Sequence, residues 1–444
     1  MAELSRRHLL RAGLGAGLGA TLAACGTGRR GTAEQALIPR AEPGETVHLT
    51  YWSWLKDLQK VCDIWNEKNP DVQVEAVWTQ ASNDGGYQKM FSALAAGGGP
   101  DLAQIEMRQI PAFMLVNGLV DLSRYGAGEH ADKYDPTLMS QVGFNGGIYG
   151  IPQDSGPCAF YYRADIMDEL GAEPAATWEE WAELAAEYRA AGRYLECFPV
   201  GDTSFFTAFA TQAGATWFRA DDDGWVIDMT DDATMRVAEH FDKAIDQDLV
   251  DISMAHFSPA WFAAASDGSL GAVTSASWAD ALIKGTGGTE GLWRVAPMPT
   301  WGDTGFGSTH LGGSTVATLA NSRHPQEALD FSVWMTTDPE GIDAMIKHSG
   351  IGWSPSPDHI GTVRRQPSEF FGGQNYNEEI LVPAAEQQNP DWAWGPTTQQ
   401  VFDALSDNVR RKLAGEMTLM EACARTQEET VKMLRDKGLN ARAA

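Results

Sequence analysis

Residues 389–396 read NPDWAWGP: two tryptophans two positions apart, bracketed by Asn389-Pro390 and Gly395-Pro396, dipeptides that interrupt regular structure. Connecting segments run over the surface, where a large indole is poorly placed unless it has something to stack on. Trp52 and Trp54 follow the first strand-like run in the same way, Trp278 follows GAVTSAS, and Trp353 sits in GIGWSPSP. With 16 tryptophans against 10 tyrosines, the chain carries more indole than ordinary packing needs. A rigid indole stacks on the apolar C–H face of a pyranose, and carboxylates, amides and guanidinium groups hydrogen-bond its rim of hydroxyls. Such groups stand in neighbouring loops: Asp84 in ASNDGGY, Glu106 ending LAQIE, and Gln153 and Asp154 in IPQDSG, with Arg108 and His310 as weaker additions. Gly313 would let backbone N–H groups come close to a ligand.

Other tryptophans read differently. Trp65, Trp178, Trp181 and Trp334 fall on helical faces and are expected in the core, while Trp217, Trp225, Trp261, Trp293 and Trp301 fit either role. Trp392 and Trp394 stand in a loop rather than a regular strand, so they need not both face a ligand; Trp394 is the better candidate.

The elements that must position these groups alternate. TVHLTYWSW (46–54) and VQVEAVW (72–78) read as strands, LKDLQKVCDIWNEKNP as the helix between them, and GYQKMFSALAAGGGPDLAQIE as a second helix and another strand. Strand–helix repetition of this kind predicts a parallel α/β sheet. Residues 146–166 break the pattern and read as a crossing between two lobes, and a Gly-rich strand covers 311–320. Helices are expected over about 231–248, 325–337, 376–388, 398–414 and 419–437, and Thr177/Glu180 and Thr418/Glu421 have the spacing of capping boxes. Gly146, Gly147, Gly150, Gly312 and Gly313 suit hinge positions.

A chain of 444 residues, 43% apolar and 21% charged, is expected to hold two globular lobes. A net charge of −27 argues against a nucleic-acid partner. The first 25 residues have a basic start with twin arginines in SRRHLL, an apolar stretch, and LAAC ending at Cys25; they read as an export leader, removed ahead of a flexible tether over 26–44. Cys62, Cys158, Cys197 and Cys423 form no CxxC or Cys/His cluster, so buried thiols are expected and neither metal nor cofactor. No GxSxG, HExxH or P-loop is present.

In order and spacing, these pieces resemble the bacterial extracellular solute-binding proteins of ABC importers, of the maltose-binding type (family 1). The resemblance runs from the leader through YQKMFSALAAGGGPDLAQIE, GGIYGIPQDSGPCAFYYRADIMDELG and PAATWEEWAELA to LGGSTVAT, over essentially the whole mature chain. It implies a periplasmic-binding-protein-like α/β fold, with two lobes joined by a hinge and a ligand cleft between them. Lobe one would take 45–152 plus 308–350, and lobe two 153–307 plus 351–440. The resemblance implies a monomer that captures a sugar and passes it to permease subunits, with Cys25 lipidated in a lipobox as a membrane anchor and no catalysis. It also raises Trp278, Trp394 and Glu106 as cleft residues beside Trp54, Asp84, Gln153, Asp154, Gly313 and Trp353. A glycerophosphodiester would instead need cleft arginines or lysines, and Arg108, Arg163 and Arg294 are the few candidates. A choline-type cation would need an aromatic cage. A secreted glycoside hydrolase would need two carboxylates about 5–5.5 or 6.5–9.5 Å apart.

Overall fold

Val47, Leu49 and Tyr51 alternate with polar positions along the first strand and are buried, so one face of that strand nucleates a sheet. The computed structural model describes residues 37–80, 85–302 and 304–444. The chain divides after Leu37, and Ile38–Ala444 carry the architecture that follows. Its strands are β1 (Val47–Ser53), β2 (Val72–Trp78), β3 (Leu102–Glu106), β4 (Gly143–Phe144), β5 (Gly147–Ile148), β6 (Ile151–Pro152), β7 (Cys158–Arg163), β8 (Phe218–Asp221), β9 (Gly224–Ile227), β10 (Ala272–Ala276), β11 (Trp293–Pro297), β12 (Ser314–Thr318) and β13 (Ala441–Ala443).

The first sheet has the order β2-β1-β3-β12-β6. Its strand–helix–strand start is parallel, as the sequence predicts, but β12 runs antiparallel to both β3 and β6. The sheet is therefore mixed, because β12 enters from the other half of the molecule rather than through a crossover helix. The second sheet, β10-β7-β11, is antiparallel throughout. A third sheet pairs β8 and β9 as a hairpin, with the chain's tail, β13, lying parallel to β9.

Three segments pass between the first two sheets and bond to one another. Ser155 N–H donates to the Trp353 carbonyl at 3.1 Å, and Leu311 N–H to the Gly156 carbonyl at 2.9 Å. The backbones approach so closely that a Cβ on Gly156 would lie 2.3 Å from the Leu311 carbonyl oxygen. Only glycine fits there. Gly312 and Gly313, at φ 82° and 113°, turn the chain into β12. Gly146 and Gly147 are not crossing residues; they belong to the β4–β5 hairpin.

The helices follow the expected pattern closely in the C-terminal part, with Pro325–Thr337, Thr398–Leu413 and Leu419–Asp436. Thr418 and Glu421 form a reciprocal capping box. Thr177 also caps through its side chain, but Glu180 reaches back to Ala176 N–H at 2.8 Å instead of closing the box. Residues 376–388 are a π-helical turn, Asn377–Leu381, followed by Val382–Glu386. The tryptophans expected in the core are there: Trp65, Trp178 and Trp181 are buried, and Trp334 packs partly buried against the core of the first sheet. Trp217, Trp261, Trp293 and Trp301 are buried as well. Cys62, Cys158, Cys197 and Cys423 are buried free thiols. Among the described residues no helix is long and apolar enough to cross a membrane, and no cluster of potential ligands could hold a metal ion.

Candidate functional site

Between the two sheets lies a cleft of about 600 Å³, with walls from both sides and the crossing segment 310–313 as its floor. β3 delivers Glu106 to the first wall, at the carboxyl end of a parallel strand, where α/β sheets place their ligands. Its carboxylate is already ordered. Tyr87 Oη donates to Glu106 Oε2 at 3.0 Å, and Arg108 grips both oxygens, Nε at 3.1 Å and Nη2 at 2.8 Å. Arg108 Nη1 then reaches across to Gln399 Oε1 at 2.6 Å, with its guanidinium carbon 5.5 Å from the centre of the Phe402 ring. One partly buried arginine thus ties the end of β3 to the helix opposite.

That opposite wall comes from two helices. Along Thr398–Leu413, positions 399, 402, 403, 406, 407 and 410 share one face, which places Gln399, Phe402, Asp403, Ser406, Asp407 and Arg410 along the cleft. The helix Thr203–Ala213 contributes Thr203, Thr207 and Thr211, a row four residues apart. The Thr207 and Thr211 hydroxyls each donate to the carbonyl four residues earlier, at 2.9 and 2.8 Å. Asp202 caps this helix, accepting from Ser204 N–H at 3.1 Å.

Two indoles complete the site, and both have their N–H groups committed to the protein. Trp278 Nε1 donates to the Leu311 carbonyl at 2.9 Å, and Trp394 Nε1 to Gln141 Oε1 at 2.8 Å. These bonds fix the ring planes, so what the rings can give a ligand is apolar surface. His310 stands edge-to-face to Trp394 at 6.2 Å, and its Nδ1 is buried without a partner among the described residues. Burial pushes the His310 imidazole down to about 4, so it is neutral at physiological pH.

Glu106, Trp278, Gly313 and Trp394 thus meet in one cleft, together with Arg108 and His310. Of the other expected site residues, the described ones, Trp54, Gln153, Asp154 and Trp353, do not line it. Asp154 is turned inward: its carboxylate accepts from Ser314 N–H at 2.6 Å and Ser314 Oγ at 2.9 Å, which staples the first crossing to β12. Burial raises it to about 6, against the lowering effect of those hydrogen bonds. Gln153 is buried too, bonded to the Tyr51 hydroxyl and, at 3.4 Å, to Ser314 Oγ. Trp353 is 3% exposed and packs in the core of the second sheet, with the Arg364 guanidinium 5.6 Å from its ring centre. Trp54 is half-buried beside β2, its carbonyl accepting from Trp78 Nε1 at 3.2 Å. Asp84 and Cys25 lie outside the described residues. For Asp154, Gln153 and Trp353 the side chain has a structural partner that a linear reading does not reveal. The two helical walls were missed, although the spacing Gln-x-x-Phe-Asp-x-x-Ser-Asp in 399–407 is a polar helical stripe that could have signalled one of them.

Comparison with known proteins places this geometry. The family model described as bacterial extracellular solute-binding protein matches residues 51–342, well over half of the chain. The lactose-binding protein of Rhizobium radiobacter is 24% identical over 396 residues, covering 83% of this chain and 88% of that protein. An arabinooligosaccharide-binding protein of Halalkalibacterium halodurans is 24% identical over 391 residues, covering 83% and 84%. Among solved structures, the galacto-N-biose/lacto-N-biose I-binding protein of an ABC transporter from Bifidobacterium longum, in complex with lacto-N-biose, superposes with a TM-score of 0.80 at 25% identity, covering 90% of this chain and 100% of that one. The GacH receptor of Streptomyces glaucescens superposes with a TM-score of 0.71 at 18% identity, covering 88% and 99%. The two α/β halves with a cleft between them are the periplasmic-binding-protein-like architecture, and the chain belongs to the bacterial extracellular solute-binding protein family.

Proposed function

We propose that the protein captures a neutral oligosaccharide in this cleft and delivers it to the permease subunits of an ABC importer. The observation that carries the reading is the pair Trp278 and Trp394, whose fixed rings leave apolar surface for stacking beside hydroxyl, amide and carboxylate groups. The likeness to proteins named for binding lactose, arabinooligosaccharides and lacto-N-biose supports it. Four carboxylates line the cleft, Glu106, Asp202, Asp403 and Asp407, against the guanidinium groups of Arg108 and Arg410. That balance disfavours a phosphodiester. It leaves a choline-type cation as the second reading, because acidic groups and indoles both attract one.

In this proposal lobe one comprises 45–152 plus 308–350 and lobe two 153–307 plus 351–440. The lobes close around the sugar by small φ/ψ changes in the crossing segments. The carboxylates order hydroxyls and perform no bond cleavage. A lipid on Cys25 holds the monomer at the outer face of the cytoplasmic membrane, with the leader removed.

Intrinsic tryptophan fluorescence of the purified chain, titrated with mono- and oligosaccharides and then with glycerophosphodiesters and choline compounds, tests the ligand class. A saturable shift with one saccharide series, moved to about tenfold higher concentration by Trp278→Ala, supports the proposal. A response only to a phosphodiester or a choline compound replaces the ligand class. Sugar products accumulating in the mixtures would replace capture by catalysis.

A further inference from the structure

Trp394 borders a second cavity. Beyond the main cleft it also lines a pocket of about 420 Å³, open to solvent and built from both halves of the molecule. One side is the helix Pro136–Val142 and the β4–β5 hairpin, which contribute Gln141, Phe144 and Asn145. The other is the β8–β9 hairpin and the NPDWAWGP loop, which contribute Arg219, Trp225 and Asp391.

The chemistry of this lining repeats that of the cleft. Phe144 and Trp225 are only half-buried and offer apolar surface. Asn145, Arg219 and Asp391 are exposed polar groups, and the side chains of Arg219 and Asp391 make no hydrogen bond among the described residues. Gln141 is 2% exposed and gives its Oε1 to Trp394, fixing that ring against the helix Pro136–Val142, while its buried Nε2 has no partner among the described residues. Half-buried aromatic walls from both halves and exposed polar groups at the rim together line the pocket.

We propose that this pocket is a second saccharide subsite, which takes a glycosyl ring against Phe144 and Trp225. The inference rests on the saccharide reading of the main cleft. The ring belongs either to the far end of a chain that passes the edge of Trp394 or to a separate saccharide. Because each half supplies part of the lining, the pocket is complete only when the halves are together, and its occupant favours closure.

Isothermal titration of the full chain with a homologous series, from the disaccharide that binds the cleft upward, tests the subsite. The variants are Trp225→Ala and the surface pair Arg219→Ala/Asp391→Ala, each checked for an unchanged melting profile. If one chain spans both sites, affinity rises with length in the parent and falls about tenfold for the longer saccharides in both variants, while disaccharide binding stays within twofold. If the second ring is a separate saccharide, the parent binds two disaccharides per chain and the variants bind one. Parent-like binding at every length and stoichiometry overturns the subsite and leaves the cleft reading standing. Absence of any saccharide binding by the parent overturns both.

Discussion

Two aromatic clusters in this molecule use the same residue types to different ends. In the core, Trp178, Trp181, Phe209, His240, Phe241 and Trp301 pack with ring centroids 5.0–5.9 Å apart. The Trp178 and Trp181 N–H groups end on the buried acceptors Gln212 and Glu196, at 2.8 and 3.1 Å. At the cleft, Trp278, Trp394, His310 and Phe402 have the same composition and similarly tethered N–H groups, yet all four border open volume. What separates the clusters is whether a neighbouring element closes over the rings. The helix Asp232–Asp246 does so in the core, placing His240 and Phe241 against Trp178 and Trp181.

The largest expected effect breaks the core cluster. Trp178→Ala should lower unfolding stability by about 3–5 kcal/mol in a denaturant titration, with the affinity of the remaining folded molecules for saccharide unchanged. An affinity loss without a stability loss would erase the distinction between the clusters.

Acid comes next, because each cluster holds a neutral histidine. Burial lowers both His240 and His310 to about 4, below the value of 6.5 in an unfolded chain. The unfolded state therefore binds protons first. Stability is fully present above pH ~6.5 and is lost as pH falls toward 4, by at most about 3 kcal/mol for each histidine. Melting temperature should fall across that window, and His240→Phe should flatten the fall. Saccharide affinity, in contrast, should be level between pH 5 and 8, since His310 stays neutral.

Smaller again, Trp278→Ala should weaken saccharide binding about tenfold, equivalent to ~1.4 kcal/mol, with a modest change in melting temperature. The smallest effect belongs to Asp154. Its carboxyl is raised to about 6, so its contribution to stability is present below its unfolded value and is lost as pH rises through 6, the opposite sense to the histidines. Asp154→Asn keeps an acceptor for Ser314 and should remove that slope at a cost below about 1 kcal/mol, leaving saccharide affinity within twofold. A larger affinity loss would return Asp154 to the cleft.

Much of the fold was legible because strand alternation and helical periodicity survive wherever an element has one wet face. The helix Leu419–Asp436 could be read from its capping box and its amphipathic stripe together. The helix Thr203–Ala213 could not. Ten of its eleven residues are buried, so TSFFTAFATQA carries no contrast between faces. In the site, spacing alone could not separate Trp394 from Trp392, because residues two apart share a face of an extended run; the loop's irregular path does so, with Trp392 packed at 5.6 Å on the buried Trp217 while Trp394 reaches the cleft. Asp154 and Trp353 misled because a loop carboxylate and a loop indole look alike in sequence whether they meet a ligand or a backbone amide. That difference is made by crossings such as Ser155 to Trp353, nearly 200 positions apart in the chain.

The four thiols have a consequence for biogenesis. Cys62 lies in the core of the first sheet, Cys197 in that of the second, and Cys158 and Cys423 in the largest cluster, so every cysteine pair among them would be non-native. Burial raises the Cys62 and Cys423 thiols to about 12, which makes them unreactive once the chain has folded. An unfolded chain in an oxidising compartment has no such protection, and any bridge it formed would bar the native state. In such a compartment maturation would be a race between burial and oxidation, won outright by a chain that folds before it meets the oxidant.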